Sequence, residues 1–193
     1  MTDKSFDLRR HLPSTAFVIL FLIAISALAG ALLYAGIYNI GADEPHSQFV
    51  YDALETLRDR SVASYSSGIT PPEDLNAPAR VSAGAGLYNE MCTGCHLGPG
   101  VERSELSQGL YPAAPELARG DDLTAGEQFW VIKHGVKLTA MPAWGKTHDD
   151  QLIWDMVAFI RQLPKMNAAQ YQAAVARAPE DHDEMMKGMH DAH

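Results

Sequence analysis

Cys92-Thr93-Gly94-Cys95-His96 holds both cysteines of a 193-residue chain and sets a histidine directly after the second. C-x-x-C-H is the pattern for covalent attachment of a c-type haem. Two thiols three positions apart add across the two vinyl groups on one edge of the porphyrin. The adjacent His96 then falls under the ring, where neutral imidazole is a good donor to iron. A thioredoxin-like redox pair needs a βαβ pattern around C-x-x-C, and no such strands can be read here. A zinc site needs further Cys or His ligands at matching spacing, and there is no second Cys pair.

Working outward, Ser82 to Met91 reads as a helix running into the motif, with Gly84 and Tyr88 on one face. The missing side chain at Gly84 invites close approach by a second helix. Asp149–Leu163 is the expected partner: Leu152, Ile153, Met156, Val157, Phe159 and Ile160 form an apolar face, Asp149 or Asp150 caps its start, and Pro164 ends it. Between them Leu97–Ala140 is rich in loops, punctuated by Pro99-Gly100, Pro112, Pro115 and Gly120. It contains a helix within Asp122 to Gly135, capped by Asp122 or Thr124 and ended by Gly135.

A sixth iron ligand is expected after that helix as a soft or imidazole donor. Met141, in the loop Thr139-Ala140-Met141-Pro142-Ala143-Trp144-Gly145, is the best candidate. Met156 belongs to the apolar face of the last helix, and Met91 lies on the wrong side of the ring. His134 is the rival, although its place near a helix end suits a solvent-facing residue, and His148 reads as a surface residue. His96/Met141 ligation leaves no open coordination position.

These stretches carry a resemblance. Gly84–His96, His134–Trp144 and Trp154–Pro164 resemble, in order, a class I cytochrome c domain of the small monohaem bacterial type, over most of residues 80–166. The resemblance implies an all-α fold with crossed terminal helices around a covalent haem c. It also implies thioethers at Cys92 and Cys95, and His96 and Met141 as axial ligands. Trp144 would be a haem-packing aromatic, and the carbonyl of Pro112 or Pro115 would accept from the His96 Nδ1–H. Leu97 departs from the family, where glycine often follows the histidine.

Farther out, no charged residue occurs from Leu12 to Ile40, and residues 12–40 read as a transmembrane anchor. A cleaved signal peptide is the alternative, with Ala27-Leu28-Ala29 before Gly30 as its cleavage site. Lys4, Arg9 and Arg10 precede the span while Asp43 and Glu44 follow it, so residues 1–11 are expected in the cytoplasm and the haem domain in the periplasm of a bacterial inner membrane. Ala27, Ala31 and Ala35 make a small-residue stripe open to a partner's transmembrane helix.

Residues 41–79 are an amphipathic helix and linker. Pro45 suits a first helical turn, with Phe49, Val50, Ala53, Leu54 and Leu57 at helical spacing. That helix packs on the haem domain, on a partner or on the membrane surface, which the sequence leaves open. Ser66–Asp74 then reads as linker, closed by Pro78. Residues 167–193 are a polar tail whose end, His182–His193, has three His and three Met, donors suited to copper.

With 15 Lys+Arg against 24 Asp+Glu the formal charge is −9, which argues against nucleic acid as a partner. No paired carboxylates, nucleophile–base set or phosphate loop builds a substrate site, so the chain does not read as an enzyme in its own right. The expectation is a membrane-tethered one-electron carrier between a quinol-oxidising complex or dehydrogenase and a terminal oxidase or reductase. A dedicated electron-transfer subunit of a larger complex is the alternative.

Overall fold

The computed structural model describes residues 13–179. Every regular element among them is helical, and the chain divides into two compact units, Met1–Glu44 and Pro45–His193.

The first unit contains α1, Thr15–Tyr34. Ser14 caps it by accepting from the Phe17 N–H at 3.2 Å. Its 20 residues are all exposed, and as a helix they extend about 30 Å. That length and an apolar surface on every side suffice to cross a membrane.

The second unit begins with α2, Gln48–Ser66. Pro45 is not in its first turn, contrary to the sequence reading. The His46 N–H is held instead by the Tyr111 hydroxyl at 2.9 Å, and the two rings meet edge to face, so the backbone enters the helix only after Ser47. Val62 and Ser66 are buried, and Tyr65 stacks on Trp130 with ring centroids 6.0 Å apart. The connection to the next helix packs inward as well: Leu75 joins the core and Ile69 lies over Gly126.

Pro78 does not close that connection. It opens α3, Pro78–Met91, where its missing N–H is one no helix would use. Two single turns follow, α4 at Thr93–His96 and α5 at Glu105–Gln108. Next comes α6, Ala125–His134. Thr124, rather than Asp122, starts α6 with a capping box: its hydroxyl accepts from the Glu127 N–H while the Glu127 carboxylate accepts from the Thr124 N–H at 2.8 Å. Gly135 ends α6 at φ +65°.

The next helix, α7, is Asp150–Ile160, and Asp149 caps it by accepting from Leu152 N–H at 2.9 Å. It stops before Leu163 because Pro164 has no N–H to return to the Ile160 carbonyl; a tight turn over Leu163–Lys165 replaces the last turn. Finally α8 runs from Ala168 to Val175, closed at its start by an Asn167/Gln170 capping box.

The core lies where α3 crosses α7. A Cβ on Gly84 would sit 1.9 Å from the Asp155 carbonyl oxygen, so only glycine permits this approach. Leu87, Tyr88, Ile153, Met156, Val157 and Phe159 are fully buried around the crossing. Arg80 ties its edge, reaching Asp155 at 2.6 Å and Asp74 at 3.0 Å. The sequence reads α8 as the start of a polar appendage, yet Tyr171 is fully buried in this same core, with Met166, Ala174 and Val175 packed on it.

Candidate functional site

At Cys92 the chain leaves α3, with the last N–H donating to the Tyr88 carbonyl at 2.9 Å, and enters the single turn α4. His96 N–H closes on the Cys92 carbonyl at 2.8 Å. In a helical turn, positions i, i+3 and i+4 share a face. Cys92, Cys95 and His96 are therefore presented together, which is the arrangement a porphyrin held by its edge and ligated from below requires. The two cysteines form no disulfide with each other. Burial, with Cys95 beside it, pushes the Cys92 thiol up to about 12, so it stays protonated in the folded chain.

The turn is pinned along its length. Thr93 Oγ1 donates to the Tyr88 carbonyl (3.1 Å) and shares a hydrogen bond with the Tyr171 hydroxyl at 2.9 Å. Tyr171 also reaches Asn89 Oδ1 at 3.1 Å. Ser104 Oγ donates to the Gly94 carbonyl and Tyr88 Oη to the Leu97 carbonyl, at 2.6 and 2.7 Å. Leu97 takes φ +59°, ψ −170°, a region that is essentially glycine's. Glycine would take this conformation without strain, and this chain keeps it with leucine.

His96 is set by its second nitrogen. Nδ1 lies 2.9 Å from the Pro115 carbonyl. A carbonyl only accepts, so Nδ1 carries the proton and Nε2 keeps a lone pair free to bind a metal. Burial pushes the His96 pKa down, against an opposing pull from the Pro115 hydrogen bond, and so favours the neutral imidazole that ligation needs. Of the two prolines left open by sequence, Pro115 is the partner.

Met141 comes from a loop folded back on itself after Gly135. Val136 N–H donates to the Met141 carbonyl at 3.2 Å, and Thr139 Oγ1 accepts from Met141 N–H at 3.1 Å. The loop lies so close to the end of α6 that a Cβ on Gly135 would be 2.6 Å from the Met141 carbonyl oxygen. Met141 and Trp144 both pack against the core cluster to which Cys92 belongs. Trp144 meets His148 edge to face at 5.4 Å.

His148 is buried, not a surface residue: its Nδ1 lies 2.9 Å from Thr147 Oγ1. His134 is exposed beside Trp130. Lys133 is paired with Asp150 at 2.6 Å over the Phe129 ring, which leaves Lys137 and Lys146 as the exposed cations flanking the Met141 loop.

Sequence reasoning did not find Tyr171. Asn167-x-x-Gln170 is a capping signal for its helix, but nothing local marks Tyr171 as a residue that packs under the C-x-x-C-H turn. Among the described residues no cluster of His, Cys, Asp or Glu could hold a metal ion. The His/Met segment 182–193 lies outside the described residues.

The donor set fits a covalently held haem: two cysteines on one face of a turn, and an oriented neutral imidazole beside them with Nε2 free. The family model described as cytochrome C oxidase, cbb3-type, subunit III, matches residues 79–160. No curated protein and no solved structure matches the chain. The matched stretch runs from the start of α3 to the end of α7, the two helices that cross, and contains Cys92, Cys95, His96 and Met141. Residues 79–160 are thus a cytochrome c domain, the fold of a haem-based electron carrier.

Proposed function

We propose that the chain is a membrane-tethered one-electron carrier whose haem domain works in the periplasm. A single haem c would be held by thioethers at Cys92 and Cys95, with His96 Nε2 and the Met141 thioether as axial ligands and Trp144 packed beside it. The observation that carries this reading is the His96–Pro115 hydrogen bond, which fixes the tautomer and aims the free nitrogen from the C-x-x-C-H turn.

Bound there, the haem supplies an iron that cycles between ferric and ferrous states. The chain's residues hold everything else still. Pro115 keeps the proton on Nδ1, so electron gain or loss need not move it. Tyr88, Thr93 and Ser104 immobilise the turn, and the Val136–Met141 hydrogen bond closes the loop that brings the thioether. A soft sulfur ligand favours the ferrous state and raises the reduction potential. Two ligands that stay in place keep small the reorganisation each transfer demands.

An absorbance spectrum with a covalent-haem gel stain tests the cofactor. Ready binding of carbon monoxide to the reduced protein at neutral pH would show that the iron has an open position and overturn the Met141 assignment.

Tethering is supported by α1 and by the flanking charges, Lys4, Arg9 and Arg10 before it against Asp43 and Glu44 after it. A quinol-oxidising complex or dehydrogenase would donate, and a terminal oxidase or reductase would accept. The second reading, a dedicated subunit of such a complex, is favoured by the matched family's own description as an oxidase subunit. Solubilisation in mild detergent separates the two: a carrier runs alone, a subunit copurifies with its partners. Copper binding by 182–193 is a separate proposal, tested by deleting those residues and measuring copper retained.

A further inference from the structure

The helix α2 is amphipathic in the unexpected sense, with its apolar stripe turned away from the domain it packs on. Phe49, Ala53 and Leu57 recur every four residues and so share one face, with Leu54 beside it. Phe49 is 81 % exposed, Leu57 66 % and Leu54 46 %. The side that packs inward is marked by buried Val62 and Ser66. Asp52, Glu55 and Asp59, spaced three and four apart, lie on the face continuous with those two residues. Glu55 and Asp59 are thus turned away from the apolar stripe, and Asp52 stands at its edge. Arg60 continues the stripe three residues beyond Leu57, exposed and in no ion pair among the described residues, whereas Arg58 pairs with Glu55 and Asp59.

We propose that this face of α2 lies on a phospholipid surface, with Phe49 and Leu57 in the acyl–headgroup boundary and Arg60 on lipid phosphates. The proposal rests on the reading of α1 as a membrane anchor. Two observations select lipid as the occupant. Charge sorting is the first: an apolar stripe carrying an arginine with no ion pair among the described residues, with Glu55 and Asp59 facing elsewhere, suits an anionic headgroup layer. Chain length is the second. Residues 35–47 alone join α1 to α2, an extended reach of at most about 45 Å, so the surface that α1 enters is always within range. At that proximity a small apolar face needs little affinity of its own to stay bound.

The test uses the full holoprotein in nanodiscs of phosphatidylethanolamine and phosphatidylglycerol. The photoreactive residue p-benzoylphenylalanine replaces, one at a time, Leu57, Phe49, Asp52 and, within α1, Phe21. Lipid adducts from positions 49, 57 and 21 but none from 52 are expected. The double variant Phe49→Glu/Leu57→Glu should keep the haem spectrum and lose hydrogen-exchange protection over residues 48–66. Lipid labelling from 21 alone overturns the α2 proposal and leaves the anchor standing. Adducts from 57 to a second copy or another protein, or labelling from 52 equal to that from 57, overturn it as well. No lipid adduct from any position, 21 included, refutes the anchor reading and the proposal with it.

Discussion

Adding one methyl group at Gly84 should open the centre of the domain. The new Cβ would lie 1.9 Å from the Asp155 carbonyl oxygen, 2.6 Å from its carbon and 2.9 Å from Phe159 Cβ. Non-bonded carbon contacts normally sit at about 3.5–4.0 Å, so the two helices must part by roughly 1.5 Å. What blocks the methyl is main chain of α7, not the tip of a side chain that can swing aside. Overpacking of this kind costs about 1–3 kcal/mol and occasionally more. Alanine's better helix propensity returns roughly 0.5–1 kcal/mol. Because main chain must move, the cost falls toward the upper end, and a net loss of about 2 kcal/mol is expected for Gly84→Ala.

The assay is guanidinium unfolding of the full-length holoprotein in detergent. It is followed by fluorescence of the three tryptophans, all of which lie beyond residue 129. With an m-value on the order of 3–4 kcal/mol/M, the midpoint should fall by roughly 0.5–0.7 M. Gly86→Ala is the internal control. It lies on the same helix, and its Cβ would meet Ala178 Cβ at 3.2 Å and the Pro179 carbonyl oxygen at an ordinary 3.8 Å, so its propensity gain and a mild contact should nearly cancel. Equal midpoints for Gly84→Ala and the unsubstituted protein would refute the crossing.

Four further outcomes follow from the same geometry. Gly135→Ala, at φ +65° and 2.6 Å from the Met141 carbonyl oxygen, should cost about 2–4 kcal/mol and remove the near-infrared band of methionine-ligated ferric haem; an unchanged band would clear Gly135 of any part in holding the loop. Leu97→Gly should be more stable than Leu97→Ala by about 1–2 kcal/mol, since both lose the side chain but only glycine relieves φ +59°, ψ −170°; equal denaturation midpoints would mean the backbone is not strained there. Tyr171→Phe should lose about 1–2 kcal/mol through its bonds to Thr93 and Asn89, read as a lower midpoint with the core packing retained. Stability should also decline as pH rises above about 10. Burial raises the pKa of Tyr88 and Tyr171 above the unfolded value, so the folded state holds protons that the unfolded state gives up, and each contributes a loss of up to about 1.4 kcal/mol per pH unit. Tyr171→Phe should flatten that decline, and an unchanged slope would count against it.

Much of the site was legible because its chemistry is local. C-x-x-C-H lies within one helical turn, so its spacing alone states which side chains share a face. Gly84 and the apolar face of Asp149–Leu163 pointed to a close helix crossing, and the structure has it. Gly135 as a helix end is likewise decided by one residue's backbone, and the cap of α7 was narrowed to Asp149 or Asp150, of which the structure uses Asp149. Helix starts were read less well where a distant group intervenes. Pro45 suits a first turn on local grounds, yet Tyr111, far along the chain, takes the His46 N–H and delays α2 to Gln48. His148 has polar neighbours in sequence and reads as a surface residue, whereas in space it is buried against Trp144.

From the sequence alone came the haem attachment motif, an apolar span long enough for a membrane, and the ordered stretches that resemble a cytochrome c domain. All three are properties of residues close together in the chain. Tertiary structure alone decided that Pro115 rather than Pro112 orients His96, and that Tyr171 from beyond the matched segment locks Thr93. It also decided that α2 turns its apolar stripe outward. Each depends on which of several chemically equivalent groups the folded chain brings within hydrogen-bonding or packing distance. Proline carbonyls, tyrosine hydroxyls and helix faces are alike in sequence, and only their places in the packed core tell them apart.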